Sequence, residues 1–357
     1  MTFLDSLAER ELSLIYSSKD KPTVRGAGPG SERVRPIDPG RIDLPEQAGS
    51  FVDAARYMPA QMAAAFEDPS IIEKPDPPKP PRARMHCKDF VGLLERYDEI
   101  DMLDFALADS LPSDQTAGQF PFEKSEFLDR LISNRRPRNS QEESLGASGE
   151  LFPHGSLFCE KVLLPSRKWR GSGDDLQNMY HEFRVSAKRA LTNQFGPSVP
   201  FRSVAHLKAA QRLEATVGPV AGGTLVRGLQ TTLPMGDLNA TCFAEVAHMN
   251  LLREHGACDL KNLASYRQPP PRGSLWEMLM VDDHIVTQDV PRYGAAARFE
   301  DDEIMTKAMP HMGQRICSRK SRSAFARRRS SQRSGLGSMV TAVGSARSWS
   351  LSCLQLL

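Results

Sequence analysis

Residues 276–290 read WEMLMVDDHIVTQDV, and two adjacent carboxylates interrupt the apolar pattern of this stretch. An apolar run precedes Asp282 and Asp283, and the residues HIV begin directly after them. A charge is costly to bury unless it is paired or bound to a metal. The pattern favours a β-hairpin with both carboxylates at its tip. Such a hairpin would present them together at one edge of a sheet.

Carboxylate oxygens of this kind suit Mg²⁺, which accepts one or two protein carboxylates and leaves its other positions to water and phosphate oxygens. Asp doublets also occur at 174–175 and 301–302. A solvated turn is the commoner reason for such a doublet. Taken alone, the pair at 282–283 therefore leaves both a metal site and a solvated turn open.

Three segments upstream of the hairpin change this balance. FEKSEFLDRLISNRRPRNSQE (122–142) places basic residues after a strand-like run, and GDDLQNMYHEFRV (173–185) has Asp175 five residues before Tyr180. LPMGDLNATCF (233–243) is a Pro-Gly turn followed by a helical pattern. Each segment is unremarkable by itself, but their order is informative.

In that order the segments resemble the fingers and palm of reverse transcriptases, the RNA-directed DNA polymerases of retroelements. That family has a fingers strand with a basic cluster, then Asp-x-x-x-x-aromatic, then Leu-Pro-x-Gly-x-x-Asn, then an Asp-Asp hairpin. The resemblance covers residues 122–290, about half of the chain. The phrases MYHEFRV and VDDHIV are most similar to divergent reverse-transcriptase-like sequences of dinoflagellates.

The resemblance implies an α+β fold with polymerase-like fingers and palm, in which helices pack on an antiparallel sheet. It also implies template-directed DNA synthesis with Mg²⁺, or alternatively Mn²⁺, from deoxynucleoside triphosphates on a primed RNA or DNA template. Asp175 and Asp282 would bridge the metal ions and Asp283 would support the site, so all three would be catalytic and metal-binding. Asp174 competes with Asp175, although the five-residue spacing to Tyr180 favours Asp175.

Substrate-binding roles follow from the same resemblance. Arg130 and Arg135 would hold the triphosphate by bidentate contacts that lysine cannot copy, and Tyr180 would reject a ribose 2′-hydroxyl. Pro234 and Gly236 would form the turn at the nascent base pair, where a glycine allows close backbone approach. The alternatives are a core aromatic for Tyr180 and a solvated basic face for the arginines.

Composition divides the chain into four parts. We predict a mostly disordered leader at 1–84, rich in proline and glycine, a fingers-like region at 85–170 and a palm-like region at 171–310. A basic tail rich in serine and arginine follows at 311–357. Short helices are expected near 3–16 and 51–66, and helical spacing predicts a longer helix over 89–109.

Several features of the sequence depart from the family pattern. KWRGSGD is polar where the family has a buried apolar strand, and Asp237 would add a repulsive carboxylate near a bound triphosphate. A helix is expected at 292–309, but nothing after it resembles the family's lysine-bearing strand, primer grip or thumb. These departures indicate a truncated or decayed copy.

Charge is distributed unevenly along the chain. Residues 304–357 contain ten Lys or Arg and no Asp or Glu, which leaves 36 basic and 44 acidic groups in residues 1–303. A chain-wide electrostatic grip on nucleic acid is therefore disfavoured, although a local basic groove stays possible. The basic tail is either an RNA-binding arm or a product of translation out of frame. The rival functions are a non-catalytic nucleic-acid-binding remnant and a polypeptide with no retained function.

The six cysteines contain no C-x-x-C pair, which fits a reducing compartment. His248, His255 and Cys258 lack a fourth partner at zinc-ligand spacing and are interpreted as helix-surface and core residues. The charged N-terminus does not resemble a signal peptide, and no apolar run has membrane-spanning length. We therefore expect an intracellular protein, cytoplasmic or nuclear, that is not secreted and has no membrane partner.

Overall fold

The computed structural model describes residues 35–51, 53–146 and 152–292, together with residues 303, 304 and 307. The α-helices are α1 (Ala60–Glu67), α2 (Phe90–Glu99), α3 (Arg136–Asn139), α4 (Met179–Glu182), α5 (Ala187–Thr192), α6 (Lys208–Val217) and α7 (Ala240–Glu254). The strands are β1 (Leu103–Leu107), β2 (Gly118–Glu123), β3 (Asp129–Asn134), β4 (Arg167–Asp175), β5 (Gln194–Pro200), β6 (Leu225–Gln230), β7 (Leu275–Met280) and β8 (Asp283–Pro291). Helices and antiparallel strands thus confirm the α+β prediction.

The described strands form three antiparallel sheets, with strand orders β1-β6-β5, β2-β3 and β4-β8-β7. The first sheet pairs β1, from the predicted fingers region, with β6, from the predicted palm region. The boundary predicted at residue 170 therefore does not separate two independent sheets.

The larger hydrophobic core surrounds α7, whose sequence ATCFAEVAHMNLLRE is buried along most of its length. A Pro-Gly turn precedes this helix, and Asp237 accepts a hydrogen bond from the backbone N–H of Asn239 at 2.8 Å. Gly256, in a left-handed conformation with φ of 65°, follows its end, as is common after helix C-termini. Phe66 and Phe243 pack edge to face with ring centroids 5.1 Å apart. α7 packs against the β4-β8-β7 sheet, and Leu279 of β7 belongs to the same core.

A second core lies between α2, α6 and the β1-β6-β5 sheet. The Asp89 side chain caps α2 by accepting a hydrogen bond from the Gly92 N–H at 2.9 Å. Leu93, Leu94 and Tyr97 form the buried face of the helix.

The helix predicted over 89–109 is wrong in its second half. α2 ends at Glu99, Asp101 takes a left-handed conformation with φ of 58°, and the chain continues as β1. Residues 103–107 (LDFAL), which the helical spacing placed in this helix, instead form a half-buried strand whose register is set by pairing with β6. Short apolar runs fit either structure, and tertiary pairing decides between them.

Residues 35–84 differ from the largely unstructured leader that their composition suggested. Ile37 and Ile42 are buried, and α1 contributes Met62 and Phe66 to the core. Arg35 and Arg41 form ion pairs with the buried Asp129 of β3. The expected helix near 51–66 corresponds to a 3₁₀ turn at Ala54–Tyr57 followed by α1.

Other predictions lie outside the described residues. These are the helix near 3–16, the tail at 311–357 and most of the helix expected at 292–309. In the part of the chain that is described, no helix combines the length and the apolar character needed to cross a membrane.

Candidate active site

The predicted hairpin is present, and it brings the distant aspartates together. β7 and β8 pair antiparallel from Met280 opposite Asp283. β8 also pairs with β4, so that Asp175 is directly opposite Asp283, and the Leu176 N–H donates to the Asp282 carbonyl oxygen at 3.1 Å. Directly opposed residues point to the same face of an antiparallel sheet. The carboxylates of Asp175 and Asp283 therefore share one face beside the turn that carries Asp282.

The carboxylates of Asp175 and Asp282 interact electrostatically at the turn. Burial raises the pKa of Asp282 above its ordinary value, and the negative charge of Asp175 raises it further. The exposed guanidinium of Arg130 acts on the pKa of Asp282 in the opposite direction. Asp175, at the end of β4, and Asp282, in the turn before β8, thus repel each other, as carboxylates that share one site do.

Asp174 lies on the opposite face of β4. It pairs in register with His284 and is only 2% exposed. Its Oδ1 lies 3.7 Å from His284 Nδ1, and His284 Nε2 lies 3.5 Å from Glu277 Oε2 on β7. The alternation of β4 therefore separates Asp174 from the Asp282–Asp283 turn and leaves Asp175 as the residue that faces it.

Within the described part of the chain, no group of three or more His, Cys, Asp or Glu side chains is gathered as a metal site would require. The chemistry of the site still fits a divalent cation. Asp175 and Asp282 offer the hard oxygen donors that Mg²⁺ and Mn²⁺ prefer. The mutual repulsion that helps to raise the pKa of Asp282 is an interaction that a bound cation would relieve.

Tyr180 is the second residue of α4, which begins directly after Asn178, whose φ is 53°. Its hydroxyl is 3.3 Å from Thr241 Oγ1, and its half-buried ring packs against the larger core. Burial raises the pKa of Tyr180, and the charge of Asp282 adds to this effect. The side chain thus belongs to the core at one end and lies near the carboxylates at the other.

The two arginines predicted to contact triphosphate have different surroundings. Arg130 is exposed on β3, opposite Phe122, and its charge acts on Asp282. Arg135 is 1% exposed, and its Nη1 forms ion pairs with Glu142 and Asp237, both at 3.0 Å. The structure gives Arg135 a structural role, because its guanidinium faces internal partners and not solvent.

The LPMGD turn packs against the β3 strand. The Ser133 N–H donates to the Met235 carbonyl at 2.8 Å, and the Asn139 side-chain amide donates to the Gly236 carbonyl at 2.9 Å. Gly236 has a φ of 120°, and a Cβ there would overlap the Ser133 carbonyl oxygen. Pro234 is buried at the start of the turn. The contact with β3 therefore requires glycine at position 236.

The sequence suggested that Asp237 would add a repulsive carboxylate near a bound triphosphate, but its charge is paired in the interior. Its side chain has no exposed surface and lies 3.0 Å from Arg135 Nη1 and 3.3 Å from Arg189 Nη1. Glu142, equally buried, pairs with Arg135 and with Arg138. The positive charge of Arg135 contributes to holding the pKa of Glu142 near about 2 against the effect of burial. This buried ion network joins the LPMGD turn to α3 and α5.

Two buried residues of α7 that the motifs did not identify, Glu245 and His248, contact the hairpin turn. The Val281 N–H donates to Glu245 Oε2 at 2.5 Å, and His248 Nδ1 lies 2.8 Å from the Val281 carbonyl oxygen. No pattern in the sequence links residues 36 and 33 positions apart in this way. His248 and Cys258 are both buried.

No protein-family model and no curated protein matches the chain. Among solved structures, the chain is similar to the foamy viral protease-reverse transcriptase dRH in complex with double-stranded DNA. The identity is 13%, the TM-score is 0.40, and the match covers 78% of this chain and 35% of that chain. For native prototype foamy virus protease-reverse transcriptase, the identity is 15%, the TM-score 0.40, and the coverage 68% and 25%. The chain thus spans about a third or less of the length of these viral proteins.

Proposed function

We propose that this chain is a reverse-transcriptase-like nucleotidyltransferase, which extends a primer on an RNA or DNA template with deoxynucleoside triphosphates. The observation that supports the proposal is the position of Asp175 beside the Asp282–Asp283 turn on adjacent strands. The sequence separates Asp175 and Asp282 by 107 positions (282 − 175), so only the fold can bring them together. Both residues belong to the ordered motifs that resemble the reverse-transcriptase family, Asp175 to the second motif and Asp282 to the last.

In the proposed mechanism, Asp175 and Asp282 would hold divalent ions, Mg²⁺ or Mn²⁺, and Asp283, on the same face as Asp175, would support them. Such ions, when bound, activate the primer hydroxyl and neutralise the leaving pyrophosphate. Arg130 is the arginine proposed to contact the triphosphate, because it is exposed and its charge reaches Asp282.

The proposal extends to the surroundings of the carboxylates. Tyr180 is proposed to limit the space beside the sugar, since its hydroxyl lies 3.3 Å from Thr241 Oγ1 and the charge of Asp282 raises the pKa of that hydroxyl. Pro234 and Gly236 shape the turn between β6 and α7, which packs against β3, and are proposed to border the nascent base pair. A retroelement origin and an intracellular location, cytoplasmic or nuclear, belong to the same proposal. The likeness to dinoflagellate sequences rests on the two short phrases alone.

The test is primer extension on an oligonucleotide-primed RNA template with Mg²⁺ or Mn²⁺, comparing the wild-type protein with Asp282→Asn. Asp289→Asn, toward the far end of β8 and in an ion pair with Arg167, is the matched control. We expect extension by the wild type and the control and its loss in Asp282→Asn. Absence of extension by folded wild-type protein with either metal would refute the proposal.

A non-catalytic nucleic-acid-binding function is the second candidate. It is favoured by the ten basic and no acidic residues in 304–357, because phosphate contacts release counterions and give salt-sensitive affinity. Filter binding of single-stranded RNA at several salt concentrations would compare the full chain with a variant in which Arg327, Arg328 and Arg329 are alanine. A shallower salt dependence in this variant, together with inactive wild-type protein, would support the second function.

A further inference from the structure

Val281, the residue before Asp282, has a backbone conformation that requires support. Its φ is 57°, in the left-handed region that a β-branched residue rarely adopts. Residues held in such regions persist only where the surrounding structure over-determines them, and they cluster at functional sites. The contacts of Val281 should therefore show what holds the turn.

Both backbone polar groups of Val281 are bound by α7. Its N–H donates to Glu245 Oε2 at 2.5 Å. Its carbonyl oxygen is 2.8 Å from His248 Nδ1, and this nitrogen must be the donor because a carbonyl oxygen can only accept. Glu245 and His248 are three residues apart and so lie on one face of the helix. Each is 1% exposed.

The protonation of His248 agrees with this arrangement. Burial lowers the pKa of His248 to about 3, so the imidazole is neutral near pH 7 and carries one proton. The contact with Val281 places that proton on Nδ1. On its other side, the turn is bound to β4 through the hydrogen bond from the Leu176 N–H to the Asp282 carbonyl. The backbone around Asp282 is thus held by α7 from one direction and by β4 from the other.

We infer that Glu245 and His248 are positioning residues, which hold Val281 in its left-handed conformation and thereby fix Asp282 beside Asp175. The contact with Val281 stands on the geometry alone, whereas its consequence for catalysis rests on the proposed function. Release of either hydrogen bond would allow Val281 to relax toward negative φ. The Asp282 carboxylate would then move relative to Asp175.

The test compares Glu245→Leu, which removes the acceptor at similar volume, with Glu245→Gln, which keeps an acceptor oxygen. Asn250→Ala is the matched control, because Asn250 lies on the same helix and donates to the Tyr57 carbonyl at 2.8 Å, away from the hairpin. Hydrogen–deuterium exchange of the peptide spanning 275–286 reports the turn directly. Primer extension reports kcat and the KM for template-primer.

We expect about tenfold faster exchange of the Val281 amide in Glu245→Leu, from the loss of one hydrogen bond. We also expect a kcat lower by about 10- to 100-fold with KM unchanged, because misplacement of a reacting group affects the chemical step. Glu245→Gln and Asn250→Ala should keep wild-type exchange at the turn and wild-type kcat. Wild-type exchange and kcat in Glu245→Gln, beside their loss in Glu245→Leu, would separate positioning of the turn from a general effect on stability.

Wild-type exchange at Val281 in Glu245→Leu would overturn the inference, as would an equal loss of kcat in Asn250→Ala. If wild-type protein extends no primer, the proposed function fails, and the exchange comparison alone decides whether α7 holds the turn. If Glu245→Leu does not fold, His248→Leu and His248→Asn repeat the comparison at the second hydrogen bond. The asparagine amide offers a donor close to the position of Nδ1, so only the leucine variant should lose protection.

Discussion

Replacement of Asp237 by asparagine tests the buried ion network beneath the LPMGD turn. The substitution keeps the shape of the side chain and removes its charge. Asp237 contacts Arg135 and Arg189 at 3.0 and 3.3 Å, and none of these three side chains is more than 1% exposed. Asp237→Asn would therefore leave positive charge in the interior with one counterion fewer.

The expected cost follows from the partners that remain. Removal of one member of a buried ion pair typically destabilises a protein by about 3 to 5 kcal/mol, because the other charge stays buried. Arg135 keeps Glu142, and Arg189 still donates to the carbonyls of Ala65 and Phe66 at 2.5 and 2.7 Å. We therefore expect the lower end of the range, about 3 kcal/mol. In a domain of this size such a loss lowers Tm by about 6 to 12 °C.

Urea denaturation monitored by circular dichroism measures this loss as a change in midpoint at constant slope. Asp104→Asn is the control, because Asp104 pairs with Arg212 at 2.7 Å with both side chains at least 40% exposed. Exposed pairs contribute about 0 to 1 kcal/mol. An Asp237→Asn variant as stable as Asp104→Asn would refute the reasoning, because it would show that the charge of Asp237 does not stabilise the buried network.

Three further outcomes are expected. Gly236→Ala should lower the free energy of unfolding, measured in urea, by at least about 2 kcal/mol, because the backbone conformation disfavours a side chain and a Cβ would overlap a carbonyl of β3. Gly223→Ala, where a Cβ has open space, should leave it unchanged. His284→Leu should destabilise the fold by about 1 to 3 kcal/mol, since Asp174 and Glu277 would stay buried without the polar imidazole between them. Wild-type stability would contradict this. Burial lowers the pKa of His181 to about 4 from 6.5, so the unfolded chain gains a proton first as pH falls. Stability should therefore decline by about 3 kcal/mol from pH 6.5 to about pH 4, and His181→Gln should show a correspondingly smaller decline when both proteins are unfolded in urea across this range.

Local patterns predicted the parts of the site that depend on neighbouring residues in the chain. The apolar runs around Asp282 and Asp283 predicted the β7-β8 hairpin, and its register places the pair at the turn. Alternation along β4 separates Asp175 from Asp174, although the sequence alone left that choice open. These features follow from the period of two residues in a strand.

Side chains that depend on distant partners were not predicted from the sequence. Basic residues after a strand suggested that Arg135 faces a ligand, but the carboxylates of Glu142 and Asp237 draw it into the interior. Asp237 was likewise expected to repel a bound triphosphate, because the sequence does not show its buried arginine partners. A charged residue has the same appearance in a sequence whether it meets solvent or a buried counterion.

The sequence by itself determined the hairpin, the order of the motifs and the residue types that can bind a divalent cation, because these are properties of short segments. The tertiary structure decided that Asp175 lies opposite Asp283, that Arg130 rather than Arg135 is exposed, and that α7 contacts the backbone of Val281. The reason is physical. Burial, pairing of charges and backbone contacts between distant segments arise only when the chain packs, and one sequence pattern is compatible with several such arrangements.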